Sequence, residues 1–285
     1  MRRHKGSEKQ PPKHGQARSP HGRSHLIRPE SSREKPEYWL YGIHAVGAAL
    51  ANPRRKVRRA VLTARAAEAL GSNLTDRLRV EPADAEAISR LLPPGAVHQG
   101  AALSCEPLPA RDLDEILFSP MAGLDAAIRQ GEQARRIVLV LDQLSDPHNV
   151  GAILRTAAAF AVTAVVVQDR HAPPQSGALA KAASGAMEMV PYVEVVNIAR
   201  ALDKLGDAGF WRIALAGDGQ EPIARGASRG DIALVLGSEG EGIRRLVREH
   251  CDTAAFVPID KAMESLNVSN AAAIALYEMR RTESG

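Results

Sequence analysis

The sequence contains little cysteine: Cys105 and Cys251 are the only two among its 285 residues. They lie far apart and show none of the close spacings of metal-binding cysteines. This scarcity argues against a disulfide-stabilised secreted domain and against a cysteine metal centre. We expect two buried or inert thiols in a reducing compartment.

Long apolar segments are also missing, although 45% of the residues are hydrophobic. No run approaches the roughly 20 apolar residues that a membrane-spanning helix needs. The first residues, Met-Arg-Arg-His-Lys, are not followed by the apolar core of a secretory signal. The sequence therefore predicts a cytoplasmic protein without a membrane segment.

Acidic residues are scarce in only one segment, residues 1–36. This tail holds ten Lys/Arg against three Glu, whereas residues 37–285 hold 27 Lys/Arg against 30 Asp/Glu. With almost nothing apolar to bury, the tail is predicted to be disordered. A flexible basic arm suits the phosphates of a nucleic acid. The alternatives are a solvated extension that aids solubility and, less favoured because of its prolines and glycines, an organelle transit peptide.

A small α/β unit is predicted over residues 37–108. Its helices and strands are expected at 43–50, 60–62, 83–92 and 96–103. Residues 109–131 are rich in charge and mixed in character, so we interpret them as a linker to a second unit over 132–285.

Basic residues are dense just before the first long strand of this front unit. They are Arg54, Arg55, Lys56, Arg58 and Arg59. Beside a strand they would form a compact basic surface, which predicts contact with RNA phosphates. A solvated turn is the alternative.

From residue 136 onward, short apolar runs alternate with helix-length segments. Continuous rather than alternating apolarity indicates strands that are buried on both faces. The pattern predicts an α/β fold: a mostly parallel sheet with helices on both faces. The runs lie at 137–141, 164–167, 189–193, 213–216, 232–236 and 254–257, and the helices near 149–161, 176–187, 197–208, 240–250 and 267–281. Ligands of such sheets bind beyond the carboxyl ends of the strands, so the loops there are where we expect function.

Three of these loops contain residues that are suited to catalysis or ligand binding. The first ends in Asn149, which we expect to cap the next helix, and Arg155 follows on that helix. An unpaired charge among apolar residues is costly, so Arg155 is expected to meet a carboxylate, a phosphate or carbonyls. The second loop, Gly-Ser-Glu-Gly-Glu-Gly over 237–242, combines glycines with two carboxylates. It therefore favours a neutral or cationic ligand over a phosphate.

The third loop places four small polar residues, Ser265, Asn267, Ser269 and Asn270, at the start of a helix. Either Ser265 or Asn267 is expected to be the N-cap. Capping accounts for one or two of the four residues. Metal binding is not expected, because Asp142, Asp146 and His148 in the first loop fit no standard spacing.

In chain order, these loops resemble the three motifs of the SpoU (TrmH-like) RNA 2′-O-methyltransferases, a family of the SPOUT superfamily. The matching residues are Asn149 with Arg155, then Leu236 to Ile243, then Ser265-Leu-Asn-Val-Ser269. The front unit, with Tyr41-Gly-Ile-His-Ala-Val46 and Val97-His-Gln-Gly100, is similar to the L30e-like RNA-binding domain fused to this family. The combination is most similar to members that methylate a guanosine of 23S rRNA.

The resemblance implies a C-terminal trefoil knot that binds S-adenosylmethionine, and a homodimer. It assigns backbone contacts with the cofactor to Gly237, Val257, Ile259 and Leu266, and catalytic roles to Arg155, Asn149, Glu239, Ser265 and Asn267. Arginine is a poor base, so we expect Arg155 to clamp the RNA phosphate and stabilise the developing alkoxide. A tRNA methyltransferase of the same family and a non-catalytic RNA-binding or ribosome-assembly protein are the alternatives. The sequence departs from the family in the loop 260–264, which lacks a usual glycine.

Overall fold

The structure is a computed structural model that describes residues 37–75, 79–118, 135–226 and 230–281. The predicted basic tail, 1–36, and residues 119–131 of the predicted linker lie outside the described residues. Within the described part, no helix is both long enough and apolar enough to cross a membrane.

The front unit contains a four-stranded sheet with the strand order β1-β4-β2-β3. Strand β4 is antiparallel to both of its neighbours, and β2 and β3 are parallel. In chain order its elements are β1 (Trp39–Tyr41), α1 (Ile43–Ala51), β2 (Val57–Leu62), α2 (Ala64–Leu70), α3 (Ser72–Thr75), β3 (Val80–Pro82), α4 (Ala85–Leu91) and β4 (Ala101–Cys105). The predicted α/β character of this unit is confirmed.

A short helix, α5 (Leu113–Phe118), follows within the segment that we interpreted as a linker. Its side chains Leu113, Ile116 and Leu117 are buried and pack against the second sheet. This part of the segment is therefore attached to the core.

The second sheet has seven strands in the order β7-β6-β5-β10-β8-β11-β9. All of the described pairings in it are parallel, as predicted. Its elements are β5 (Ile137–Asp142), α6 (Pro147–Ala159), β6 (Ala164–Gln168), α7 (Gly177–Ala183), a 3₁₀ turn (Ala186–Glu188), β7 (Tyr192–Val195), α8 (Ile198–Asp207), β8 (Trp211–Leu215), β9 (Glu221–Pro222), α9 (Ile223–Gly226), β10 (Ile232–Gly237), α10 (Arg245–Glu249), β11 (Thr253–Phe256) and α11 (Val268–Arg281).

Both faces of this sheet are covered, which explains the continuous apolar runs. Along β5, Ile137, Leu139 and Leu141 face one core, whereas Val138 and Val140 face the other. The first core includes side chains of α6, α7 and α11, and the second includes side chains of α5, α8 and α10. A parallel strand sandwiched in this way has no solvent-facing side on which polar residues would be stable.

One predicted helix is much shorter than expected. The sequence predicts helix over 240–250, but α10 begins only at Arg245. The preceding residues double back, with Ser238 bridged to Gly242, and Gly240 and Gly242 have φ of 90° and 68°. Glycine adopts such left-handed backbone readily, so the three glycines form a turn rather than a helix.

Candidate functional site

The candidate site lies at the carboxyl edge of the second sheet. There β5 and β10 are neighbours, with Asp142 level with Gly237, and β11 joins them through β8. The loops that follow β5, β10 and β11 are the three loops singled out from the sequence. The parallel topology therefore brings segments around residues 149, 239 and 267 to one place.

Three predicted residues are joined there by hydrogen bonds. The Glu239 carboxylate accepts from Asn149 Nδ2 at 3.2 Å and from Asn267 Nδ2 at 2.6 Å. Asn267 Nδ2 also donates to Asn149 Oδ1 at 3.0 Å. One side chain from each loop thus contributes to a single polar cluster.

The position of Asn149 corrects the prediction that it is the helix cap. Helix α6 begins at Pro147, and its N-cap is Asp146, whose carboxylate accepts from the backbone N–H groups of His148 and Asn149. Because Asp146 caps the helix, the Asn149 side chain is free of that role and turns to Glu239.

The turn after β10 is fixed by a close backbone approach. A Cβ on Gly237 would lie 2.1 Å from the carbonyl carbon of Gly242, so only glycine fits there. Two hydrogen bonds between the backbones of Ser238 and Gly242 hold this turn, at 3.2 Å and 2.9 Å. The turn carries Glu239 to the edge of the sheet.

Asp142 also contributes to the site, although the sequence did not point to its role. Its side chain, 0% exposed, accepts from the backbone N–H and from Nε of Arg244, both at 2.9 Å. Arg244 also donates to Gln168 Oε1 at 2.9 Å. A buried carboxylate needs such partners, and this one ties the far end of the Glu239 loop to β5. The sequence did contain one indication of this role, because the charged residue Asp142 ends a strand whose other residues are all apolar.

Asn267 is the N-cap of α11, which decides between the two predicted candidates. Its Oδ1 accepts from the backbone N–H of Ser269 at 2.9 Å, and its carbonyl oxygen accepts from the N–H of Ala271 at 3.0 Å. The Ser269 hydroxyl donates to the same Oδ1 at 2.6 Å. One amide thus caps the helix through its oxygen and contacts the polar cluster through its nitrogen.

Two predicted catalytic residues do not belong to this cluster. Arg155 lies on the exposed side of α6 and Ser265 is exposed in the loop before α11. Neither has a hydrogen-bond or ion-pair partner within the described part of the chain. Among the described residues, Arg155 meets neither a carboxylate nor carbonyls, two of the three partners expected for it, and its exposed guanidinium is hydrated by water.

The predicted cofactor residues lie in two of the three loops that contribute to this cluster. Gly237 precedes Glu239, and Val257, Ile259 and Leu266 lie in the irregular segment between β11 and α11. Val257 and Leu266 are half-buried, whereas Ile259 is 38% exposed. In the described residues, no group of three or more His, Cys, Asp and Glu could hold a metal ion.

Arg55 was predicted to contact RNA, but it is buried. It forms an ion pair with Glu188, and its side chain is 0% exposed. The other members of the basic surface remain accessible: Lys56 and Arg58 lie beside Glu106 with side chains 79% and 54% exposed. Arg54 is exposed as well. Arg55 has to be left out of the RNA-contacting set.

Arg59 is half-buried and lies between two partners. It pairs with Glu81 at 2.9 Å, and its guanidinium lies 5.5 Å from the centre of the Trp39 ring. These contacts hold Arg59 against the front sheet.

Both cysteines are free thiols, as expected. Burial raises the pKa of Cys105 to about 11 and that of Cys251 to about 12. The reactive thiolate is therefore scarce at neutral pH.

Two protein-family models match this chain. Residues 136–277 match the SpoU rRNA Methylase family, and residues 39–110 match the RNA 2′-O ribose methyltransferase substrate binding family. The boundaries correspond to the second and the first sheet with their helices.

Curated relatives are similar over nearly their whole length. A 23S rRNA (guanosine-2′-O-)-methyltransferase RlmB from Vibrio cholerae is 39% identical over 85% of this chain and 96% of the relative. The RlmB of Ralstonia nicotianae is 38% identical over 86% of this chain and 96% of the relative.

Among solved structures, the SpoU methyltransferase AviRb from Streptomyces viridochromogenes superposes with a TM-score of 0.70. It is 21% identical, and the match covers 88% of this chain and 91% of AviRb, so it shows a shared fold. With the curated relatives and both family models, the conclusion is direct: the chain belongs to the SpoU rRNA methylase family.

Proposed function

We propose that this protein transfers a methyl group from S-adenosylmethionine to the ribose 2′-hydroxyl of a guanosine in 23S rRNA. The observation that carries the proposal is the meeting of Asn149, Glu239 and Asn267 at the carboxyl edge of the second sheet. The relatives named as 23S rRNA (guanosine-2′-O-)-methyltransferases support the substrate. AviRb, which shares the fold, has been solved in complex with AdoMet.

The residues at this edge fit such a cofactor. Gly237 ends β10 in close contact with the backbone of Gly242, and a carboxylate, Glu239, stands two residues later. A negative charge disfavours a phosphate ligand but suits a sulfonium cation. We assign the adenosyl contacts to the backbone of Gly237, Val257, Ile259 and Leu266. When bound, S-adenosylmethionine supplies a methyl group activated by the positive sulfur.

The protein's own task is to place and polarise the ribose. Arg155 is exposed and has no partner among the described residues, so its guanidinium is available to an RNA phosphate. A guanidinium is a poor base, and we assign to Arg155 the clamping of phosphate and the stabilisation of charge developing on the 2′-oxygen. Asn149, Glu239 and Asn267, with Ser265 nearby in sequence, orient the ribose.

The front unit, 37–108, is the proposed RNA-binding domain of L30e type. Arg54, Lys56 and Arg58 offer exposed charge, and Arg59 extends the same surface. The proposal further includes contact of the basic tail 1–36 with RNA and a linker over 109–131. It also includes a trefoil knot in the unit 132–285 and a cytoplasmic location with the ribosomal substrate.

A homodimer is also proposed. Helix α11 carries Ile274 and Tyr277 on its outer side, 39% and 55% exposed, whereas Leu276 and Met279 are fully buried. Exposed apolar side chains on a helix that starts in the candidate site would be covered by a second copy of the chain.

Replacement of Arg155 by alanine tests the catalytic assignment. We expect the rate of methyl transfer to a 23S rRNA transcript to fall by about 10²-fold or more, as for the loss of a charge-stabilising donor. The Kd for S-adenosylmethionine should stay unchanged, because Arg155 acts on RNA. Arg200→Ala, which removes another exposed helical arginine, is the matched control and should remain active.

The assay uses labelled S-adenosylmethionine, 23S rRNA and tRNA, followed by mapping of the modified nucleotide. Near-normal turnover of Arg155→Ala would exclude the assigned role. Methylation of tRNA alone would support the tRNA alternative. RNA binding without any methyl transfer by the wild-type protein would support the assembly-protein alternative.

A further inference from the structure

The two sheets are joined by a closely packed seam. Helix α7 lies against β1, where a Cβ on Gly177 would stand 2.5 Å from the carbonyl oxygen of Trp39. The 3₁₀ turn that follows lies against α1, where a Cβ on Gly185 would stand 2.8 Å from Cβ of Ala48. At both points the backbone approaches too closely for any larger residue.

A buried ion pair crosses this seam. Arg55, in the front unit, pairs with Glu188, at the end of the 3₁₀ turn, and the two side chains are 0% and 5% exposed. Arg55 Nε donates to one carboxylate oxygen of Glu188 at 3.3 Å, and a terminal guanidinium nitrogen donates to the other. Asn52 Nδ2 donates to Glu188 at 2.7 Å, and the second guanidinium nitrogen of Arg55 donates to the carbonyl of Glu106 at 2.8 Å.

Such a pair is better suited to fixing an orientation than to adding stability. Removing two charges from water is costly, and their attraction offsets this cost only when the geometry is good and every polar atom has a partner. The two-pronged contact of a guanidinium with a carboxylate is directional. Any rotation of the front unit would leave Arg55 and Glu188 buried without partners.

The seam is connected to the candidate site through α7. On its other side α7 packs on α6, where a Cβ on Gly151 would stand 2.4 Å from Cβ of Ala182. Helix α6 carries Asn149 in its first turn and Arg155 further along. The front unit is therefore held against the helix that presents Arg155 through one intervening, tightly packed helix.

We propose that Arg55 and Glu188 are positioning residues, which lock the front unit in one orientation so that RNA bound on its exposed basic surface reaches the site around Arg155. This inference rests on the proposed function for its RNA substrate. The Arg55–Glu188 lock itself is a property of the free protein.

The first test measures the orientation without RNA or cofactor. Spin labels are attached to Glu68→Cys in the front unit and Asp207→Cys on α8, both exposed positions. The native thiols, whose pKa values burial raises to about 11 and about 12, react little at neutral pH, and the chain without added cysteines verifies this. One narrow distance distribution is expected for the starting chain, and a broad one with Glu188→Gln or Arg55→Met.

Arg90→Met is the matched control, because it removes an exposed ion pair with Glu86 that lies wholly within the front unit. It should leave the distance distribution narrow. Thermal unfolding verifies that each variant is folded. If Glu188→Gln and Arg55→Met fail to fold, Asn52→Ala removes one hydrogen bond across the seam and should still broaden the distribution. Narrow distributions in all folded seam variants would overturn the proposal.

The second test separates positioning from a merely structural role. In the seam variants we expect the KM for the rRNA substrate to rise about tenfold, while kcat at saturating RNA and the Kd for S-adenosylmethionine change by less than about twofold. Broad distances with an unchanged KM would overturn the positioning role. If the starting chain methylates no RNA, the proposed function fails, whereas the distance measurement still decides whether the lock exists.

Discussion

Asn267 shows how one side chain can serve both the fold and the candidate site. Its oxygen accepts from the N–H of Ser269 at the start of α11, and its nitrogen donates to Glu239 and Asn149. Capping uses only an acceptor, and the polar cluster uses only a donor. The two tasks can therefore be separated by a substitution that keeps one and removes the other.

Asn267→Asp is that substitution. Aspartate is as good an N-cap as asparagine, so α11 should remain formed. The new carboxylate loses both donated bonds and faces the carboxylate of Glu239, and like charges at hydrogen-bond distance repel strongly. We expect methyl transfer to fall more than about tenfold with the melting temperature lowered by only a few degrees.

The chain provides its own control for this experiment. Asn197 caps α8 in the same way, accepting from the backbone N–H of Arg200 at 3.2 Å, and its side chain takes no part in the hydrogen bonds of the cluster. Asn197→Asp should leave activity unchanged. Equal losses in the two variants would mean that the Asn267 amide nitrogen contributes nothing to the reaction.

At the residue scale, the sequence predicted which side chains meet in the candidate site. It did not predict which side chains form hydrogen bonds or ion pairs with each other. Asn149, Glu239 and Asn267 were identified by motif order, and their convergence follows from a parallel sheet. Arg55 was misassigned because its neighbours in sequence are exposed, whereas its partner Glu188 lies 133 residues away. Local composition cannot reveal which member of a basic run turns inward to meet a distant carboxylate.

Among the elements, helix α6 contributes most to the candidate site. Its first turn presents Asn149 and its exposed side presents Arg155, while Val150, Ile153, Leu154 and Ala157 are buried. Because isolated helices of this length are marginal, the first turn depends on its cap and on packing. Asp146 provides that cap through two backbone N–H groups.

Asp146→Ala should therefore affect both stability and ligand binding. Loss of an N-cap lowers the free energy of unfolding by about 1 kcal/mol. The first turn of α6 then frays, and Asn149 no longer holds Glu239, which lies in the same loop as the proposed cofactor residue Gly237. The Kd for S-adenosylmethionine should therefore rise several-fold in isothermal titration.

Asp84→Ala is the comparison, because Asp84 caps α4 in the front unit by accepting from the N–H of Ala87 at 2.7 Å. A similar loss of stability is expected there, with unchanged cofactor affinity. If both variants weaken cofactor binding equally, the effect comes from global destabilisation and not from the first turn of α6.

The positions of strands were predicted well where the burial of their side chains determines them. The apolar runs at 137–141, 164–167 and 232–236 agree with β5, β6 and β10. The predicted helix over 240–250 failed at its start, because two glycines with positive φ close a turn that backbone contacts with Gly237 hold in place. The helix propensity of the residues 240–250 carries no information about such a contact between two segments of the backbone.

For the molecule as a whole, the outer side of α11 is the feature that calls for a partner. Tyr277 is 55% exposed and Ile274 is 39% exposed, whereas other apolar residues of the same helix are fully buried. If a second copy covers this side, a carboxylate placed there would be buried without a partner, which strongly disfavours association.

Tyr277→Glu should therefore shift the protein from dimer to monomer in sedimentation velocity at micromolar concentration. Val196→Glu introduces the same charge at an exposed apolar position, 72% exposed, that follows the edge strand β7, and should leave the dimer intact. A monomeric wild-type protein, or a Tyr277→Glu variant that remains dimeric, would contradict the proposed interface.

The convergence of the three loops also has a consequence for folding. Asn149 and Asn267 are separated by 118 positions, yet they share a hydrogen bond. Contacts between such distant positions form late, because the loop that they close is long. A chain that has folded its front unit and β5 to β10 would still lack the Asn267 amide, since α11 comes after them. The protein would then become able to catalyse methyl transfer only in one late folding step. Partly folded molecules would therefore not act on RNA.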